Sequence, residues 1–367
     1  MSSPRILVTA ATGKTGGAVV DQLLAQGFVV RALVHSRDSR SERLDNLGVE
    51  TVVGDMHDPD QLHDALKDVQ RAYYVPLFAP HAVHAAAAFV AAASNTELEC
   101  VVQLSQWLSH RAHPSVLTRE CWLIEDMFAR MPNIARITVN PGMFADNFLR
   151  IIDFPALLWI YPVLTGTSRS APVSHEDIAR VVAAVIAQPS RHAGMRYRPT
   201  GPTLLSGAEM AAVIAKVVGH KVFPIETPFW MFRKLARLTG GSQHEVFSYR
   251  DYLADHRAGA FEFEGGVTSV VKDLTGSPPE DFETIARRYA AMPFARQSWG
   301  NRLKAFARFN LVPFVPGYDL DRYQREKAFP VPPRPRLSIQ DDRWRTERSA
   351  QNREVVRSDD RKVLSFV

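Results

Sequence analysis

Two cysteines in 367 residues, Cys100 and Cys121, exclude a disulfide scaffold and a cysteine-built zinc site, and they suit a reducing compartment. The longest apolar run, Pro155 to Val163, is less than half of the ~20 residues that a membrane-spanning helix needs. Met1 to Ala10 lack the basic region, apolar core and cleavage site of a secretory signal, so a cytoplasmic location is expected. Lysine is scarce, 9 against 35 arginines, and the net charge of +5 comes from basic residues interspersed with acids rather than from blocks. A nucleic-acid reader would need a basic stripe or a reading motif, and neither is present. His81 and His84 stand one helical turn apart, but no carboxylate or cysteine completes a ligand set at readable spacing, so no metal is expected. What is present is material for a sizeable core: 46% hydrophobic and 23% charged residues.

Short β-rich runs alternate with helical patterns through residue 140. Strands are expected at Arg5–Thr9, Phe28–Val34, Glu50–Val53, Ala72–Val75, Glu99–Ser105 and Ile134–Asn140, with helices over Thr15–Gln26, Pro59–Leu66, His81–Ser94 and Ser115–Arg130. Asp58, Pro59 and Gln61 carry a helix-start signature: a capping carboxylate, a proline at the first helical position and a side chain that reaches back. The alternation predicts an α/β fold, a Rossmann-type doubly wound parallel sheet whose strands read as continuous apolar runs because both faces are covered. After Pro141 the texture changes. Helix starts at Ser174 and Ser206, short strands at Met195–Arg198 and Lys221–Ile225 and a helix over Pro279–Met292 predict a smaller α+β substrate domain over 141–292. It is interleaved with the 1–140 domain, so some of its segments are expected to return to the first sheet. Seven of the 43 residues from Pro293 to Pro335 are proline, so 293–367 is expected to be a mostly extended C-terminal arm. Trp299, Phe306, Phe309, Phe314, Tyr318 and Trp344 would anchor it to the body or to a neighbouring subunit of a homo-oligomer.

The most informative stretch is Ile6-Leu7-Val8-Thr9-Ala10-Ala11-Thr12-Gly13-Lys14-Thr15-Gly16-Gly17, which leaves the first strand and opens the first helix. Glycines there let a backbone approach a pyrophosphate and let the helix pack closely on the strand, with helix N-terminal amides on the phosphates. The loop resembles the TGATGxxG loop of atypical short-chain dehydrogenase/reductases, specifically the NmrA-like group. Gly54-Asp55, Tyr74-Val75-Pro76, Gln103-Leu104-Ser105 and Asn140-Pro141-Gly142-Met143-Phe144 with Asn147 follow in the family's order, so that the resemblance spans residues 4–292. It implies NAD(P) in a cleft between the two domains. The expected cofactor site is Ala10, Thr12, Gly13, Lys14, Thr15, Gly16, His35, Ser36, Arg37, Asp55, Met56, Val75, Pro76, Ser105, Pro141, Gly142, Met143 and Phe144. Ala10 replaces the loop's first glycine and is tolerable at negative φ but strained at positive φ. Family members with a lysine on the helix after strand five carry it shortly before a glutamate; here Cys121 stands at that position before Glu125.

An NAD site usually places an acid at the end of strand two, whereas an NADP site places cations there. Ala32 to Ser36 contain no acid, while Arg37, Arg40 and Lys14 are expected to reach a 2′-phosphate, which points to NADP(H) over NAD(H). The tyrosine–lysine pair of many short-chain reductases is missing from the helix after strand five; Tyr323 and Lys327 share its spacing by coincidence. Ser105 is the candidate to hydrogen-bond a substrate carbonyl, or to satisfy the nicotinamide side of the cleft, and His110, with His113 beside it, the candidate proton source. Two functions stay open. One is an NADPH-dependent oxidoreductase passing hydride to a small carbonyl, quinone or conjugated acceptor. The other is a non-catalytic NADP(H)-sensing regulator that binds a protein partner. A small-molecule substrate is expected, with neither nucleic acid nor membrane as partner.

Overall fold

A computed structural model describes residues 3–94 and 96–351. Its first part alternates strictly: β1 (Arg5–Val8), α1 (Lys14–Ala25), β2 (Val29–Val34), α2 (Ser39–Asn46), β3 (Glu50–Val53), α3 (Pro59–Leu66), β4 (Arg71–Tyr74), α4 (Ala82–Ala93), β5 (Cys100–Leu104), α5 (Val116–Phe128) and β6 (Ala135–Val139). There follow α6 (Asp146–Leu149), α7 (Asp153–Leu158), β7 (Ile160–Val163), β8 (Arg169–Ser170), α8 (His175–Ala187), α9 (Pro189–His192), β9 (Arg196–Tyr197) and β10 (Leu205–Ser206). Then come α10 (Gly207–Val218), β11 (Phe223–Glu226), α11 (Phe229–Leu238), α12 (Gln243–Arg257), α13 (Val270–Thr275) and α14 (Phe282–Ala290). The chain continues with α15 (Trp299–Leu311), α16 (Leu320–Lys327) and α17 (Asp342–Gln351).

The main sheet is parallel and seven-stranded, in the order β3-β2-β1-β4-β5-β6-β9, so the strand order reverses between β1 and β4. Residues alternate between its faces. Ile6, Val8, Val102 and Val139 pack under α1 and α8, through Val19, Val20, Ile178 and Val182. Leu7, Ala72 and Val101 pack on the other face, under α3, α4 and α5, through Leu62, Phe89 and Phe128. Residues beyond 140 therefore return to this sheet twice, as helix α8 and as strand β9. A third core joins α6 and β7 to α10 and α14 through Leu149, Tyr161, Ile214 and Ile285.

The segment after Pro293 departs from the expected extended arm, because it carries α15, α16 and α17. Proline breaks a helix only from its interior. Pro313 opens a 3₁₀ turn after α15, and Pro330 to Pro335 lie between α16 and α17, so all of them fall at boundaries. The arm lies on its own body. The Phe309 ring meets Phe154 edge-on at 6.1 Å, the Tyr318 hydroxyl donates to the Gly241 carbonyl at 2.7 Å, and Trp344 is buried. Asp255 accepts the Ser338 N–H at 2.7 Å. Three of the expected anchors behave otherwise: Trp299, Phe306 and Phe314 are 79%, 56% and 83% exposed.

Candidate functional site

Parallel strands deliver the loops after β1 to β6 to one edge of the sheet, at the point where the strand order reverses. Ala10, Thr12, Gly13, His35, Arg37, Asp55, Met56, Val75, Pro76 and Pro141 to Phe144 all lie on those loops. The first loop is tightly drawn. The Gly13 N–H donates to the Ala10 carbonyl at 2.9 Å, and the Thr9 hydroxyl accepts the Val75 N–H at 2.8 Å, tying the first loop to the fourth. Ala10 has φ 49°, the strained case, and its carbonyl oxygen would lie 2.2 Å from a Cβ on Gly16. Only glycine at 16 allows that approach of helix to loop.

Lys14, expected at a 2′-phosphate, is instead held by the Asp146 carboxylate at the start of α6. Asp146 also accepts the Tyr289 hydroxyl at 2.7 Å and faces Arg150 at 3.3 Å. Burial alone would raise its pKa, but the hydrogen bonds from Lys14 and Tyr289 and the charge of Arg150 hold it below the usual carboxylate range. Thr15 meets His175 at 2.8 Å, and burial pushes that imidazole down to about 4, so it is neutral. At the end of β2, Arg37 pairs with Asp45 at 2.8 Å and Arg40 with Asp38 at 2.6 Å; Asp38 also caps α2. Both pairs are well exposed, and such pairs are worth only about 0–1 kcal/mol, so a phosphate dianion can recruit either arginine.

Ser105 is not free to serve a substrate as a donor. Its hydroxyl donates to Glu125 on α5, which is 3% exposed and also accepts from Asn140 Nδ2 at 2.7 Å and from Arg196 at 2.6 Å. Burial would raise the Glu125 pKa, but the Arg196 guanidinium and the hydrogen bonds from Ser105 and Asn140 hold it below its ordinary value. His110, expected on an open loop, is buried beneath the arm with Nε2 3.1 Å from Asp341 Oδ2. His113 is fully buried between the Ser115 N–H and Asp255. His110 meets the arm directly at Asp341, whereas His113 meets Asp255 of α12, which in turn accepts the arm's Ser338 N–H. Cys121 accepts from Gln106 at 3.2 Å, and burial pushes its thiol up to about 12, so it is no acid either.

Beside the loop after β6 lies a small apolar cavity, lined by Met143, Phe148, Tyr161, Phe232 and Leu253, with Asn147, Arg150, Thr165, Thr227 and Tyr249 among its polar residues. The Asn147 amide donates to Met143 Sδ at 3.3 Å and its oxygen accepts from Arg150 at 2.9 Å. Burial raises the Tyr249 pKa, which keeps its hydroxyl protonated. Tyr249 has no signal in the sequence, because it lies on α12 amid a helix with no motif; Glu125 is marked only as the glutamate of the family pattern, and Asp146 carries no signal beyond being an acid.

The profile of the NmrA-like family matches residues 2–274. The chain belongs to the NmrA-like family. It is 28% identical over 288 residues to the NAD(P)H azoreductase of Xenophilus azovorans, covering 78% of this chain and 98% of that one. Among solved structures, the NADPH-dependent quinone oxidoreductase of Escherichia coli complexed with NADPH superposes with a TM-score of 0.68 at 19% identity, over 77% of this chain and 99% of that chain. The negative transcriptional regulator NmrA, in complex with NAD, superposes with a TM-score of 0.64 at 18% identity, over 78% and 95%.

The first loop of this NmrA-like chain fits a dinucleotide pyrophosphate on its own geometry. Helix α1 begins at Gly13 with no side-chain cap and no acid in its first turn. Helices α4 and α5 share that bare start, whereas α2, α3 and α8 are capped by Asp38, Asp58 and Ser174. The α1 amides are thus left for an anion, at the positive end of the helix dipole.

Proposed function

We propose that this NmrA-like protein is an NADPH-dependent reductase of quinones, azo compounds or other conjugated acceptors. The observation that carries this reading is the absence, among the described residues on the β5 side of the cleft, of a donor for a localised alkoxide. The Ser105 proton is spent on Glu125, Cys121 is a buried thiol, and His110 and His113 are buried against Asp341 of the arm and Asp255 of α12. NADPH, when bound, supplies the hydride. The chain holds its pyrophosphate on the α1 amides and draws its 2′-phosphate to Arg37 and Arg40. Met143, Phe148 and Phe232 exclude water from the acceptor. Tyr249 and Asn147 line the polar end of that cavity and can hydrogen-bond one polar edge of a flat acceptor, but burial raises the Tyr249 pKa and makes it a poor proton donor. Acceptors that spread the arriving charge over a conjugated system need that help least, whereas a plain aldehyde loses the ~10²–10⁴ that a general acid supplies.

The test is NADPH oxidation with quinones, azo dyes and enones against simple aldehydes, which should be turned over poorly if at all. Calorimetric titration should give NADPH at least about tenfold tighter than NADH, or ~1.4 kcal/mol. Tight NADPH binding with no oxidation of any acceptor would instead place this chain with the dinucleotide-sensing regulators.

A further inference from the structure

Helix α15 has two apolar stripes. Ala305 and Phe309, with Val312 just beyond the helix, face inward onto Phe154 and Leu157 of α7 and Leu235 of α11. Trp299, Leu303 and Phe306 recur at helical spacing on a second stripe, which no other part of the described chain covers: they are 79%, 56% and 56% exposed. A monomer does not normally leave such a stripe to water.

The stripe continues on both sides. Beyond α15, Phe314 is 83% exposed, and the neighbouring Pro313 carbonyl accepts Lys234 Nζ at 2.6 Å, the same ammonium that stands 5.6 Å above the ring of exposed Trp230. On the other side, Gln297 and His220 both donate to the Ala156 carbonyl, and the Trp159 ring lies tilted against His220 at 5.6 Å. Trp159 is half exposed at φ 67°, a conformation costly for a bulky residue, and its carbonyl leads into the exposed edge strand β11.

Apart from Glu226 at the end of β11, which pairs with Arg257 at 3.1 Å, the charge on this face is positive. Residues 293–318 contain four Lys/Arg and residues 229–241 three, and neither stretch contains an acid, in a chain whose basic and acidic residues elsewhere nearly balance. Among the described residues Arg308 is the one cation of these two stretches with a carboxylate partner, Asp153. A second copy packed face to face across a two-fold axis would set these cations against their own images. An anionic bilayer neutralises them while its interfacial region takes the tryptophans and phenylalanines.

We propose that α15, the turn after it, α11 and β11 form a surface that lies on anionic phospholipid membranes. The expectation of no membrane partner rested on the lack of a spanning segment, and indeed no helix among the described residues is long and apolar enough to cross a membrane. Lying in the interface requires no such helix. The inference is independent of the reductase reading. The two would meet in one respect: Tyr161 of β7 and Phe232 and Leu235 of α11 wall the acceptor cavity from the same elements that carry this face.

The experiment is co-sedimentation of the full chain with phosphatidylcholine vesicles, with and without about one third phosphatidylserine. Wild type should pellet with the anionic vesicles and be released by about 0.5 M salt. The exposed-position variants Trp299→Ser/Phe306→Ser and Arg302→Glu/Lys304→Glu should fold with unchanged Tm. Each cation near such a surface is worth about fivefold in partition, so the charge reversal should weaken binding at least about 25-fold, and the aromatic pair at least about tenfold. Failure to pellet with anionic vesicles, or variants that pellet like wild type, would overturn the proposal. So would a concentration-dependent dimer, by light scattering, that Trp299→Ser/Phe306→Ser abolishes, since a second copy would then cover the face.

Discussion

Glu125→Gln removes one negative charge from the most enclosed polar cluster beside the cleft. The carboxylate takes hydrogen bonds from Ser105, Asn140 and Arg196, and a glutamine there must turn its NH₂ group toward at least one of these donors. Breaking a buried ion pair by removing one partner costs about 3–5 kcal/mol. Arg196 is 18% exposed and keeps Glu347 at 3.5 Å, which argues for the lower end, about 3 kcal/mol. Urea unfolding followed by near-ultraviolet dichroism should show the midpoint falling by roughly 1 M. The effect should depend on pH with a definite sign. Because the fold depresses the Glu125 pKa, its stabilisation is complete above the unfolded carboxylate value and is lost as pH falls through the folded one. The gap between wild type and variant should therefore be full at neutral pH and close in acid. A variant within about 0.5 kcal/mol of wild type at neutral pH, or a gap that ignores pH, would refute the assignment of Glu125 as the ionised hub.

Ser105→Ala should alter kcat/KM for a quinone by less than about threefold, since the hydroxyl proton is committed to Glu125; a loss of ~10² would restore Ser105 as a donor to substrate. Tyr249→Phe should lower kcat for a quinone by less than about tenfold, the loss of one hydrogen bond of about 1 kcal/mol, while leaving the calorimetric NADPH affinity unchanged. Ala10→Gly relieves a residue at φ 49° and should stabilise the fold by about 0.5–1 kcal/mol, read as a rise in Tm. Burial raises the Glu120 pKa to about 7, so its contribution is intact below the unfolded value near 4.5 and is lost as pH rises through 7. Glu120→Gln should accordingly gain about 2 kcal/mol over wild type at pH ~8 and nothing at pH ~4.5 in chemical denaturation.

Each of β1 to β6 falls within one residue of where the apolar runs place it, because strands covered on both faces must be apolar throughout. Helix α3 begins where Asp58, Pro59 and Gln61 predict, since all three act within one turn. The first loop was equally legible, its glycines being demanded by contacts a few residues away. Helix α2 escaped notice, because its polar eight residues have little apolar periodicity and its start is closed by Ser41 rather than a glutamate. The side-chain commitments were not legible for a different reason: they join residues far apart in the chain. Ser105 meets a carboxylate on the next helix, Lys14 meets Asp146, and His110 meets Asp341 from the arm. A serine or histidine on a strand-end loop has the same local sequence whether it faces substrate or a buried acid. The arm was misread from its prolines, which mark the ends of α15 and α16 rather than the absence of helix.

On this reading the NmrA-like chain turns over NADPH with acceptors whose reduced form needs no strong protein acid. Steady-state NADPH oxidation with matched acceptors, a quinone and an aliphatic aldehyde of similar size, tests it most directly. The predicted result is a kcat/KM for the quinone at least about 10²-fold above that for the aldehyde, with NADH a poorer donor in both cases. Equal rates for the two acceptors, or no oxidation with either despite tight NADPH binding, would contradict it.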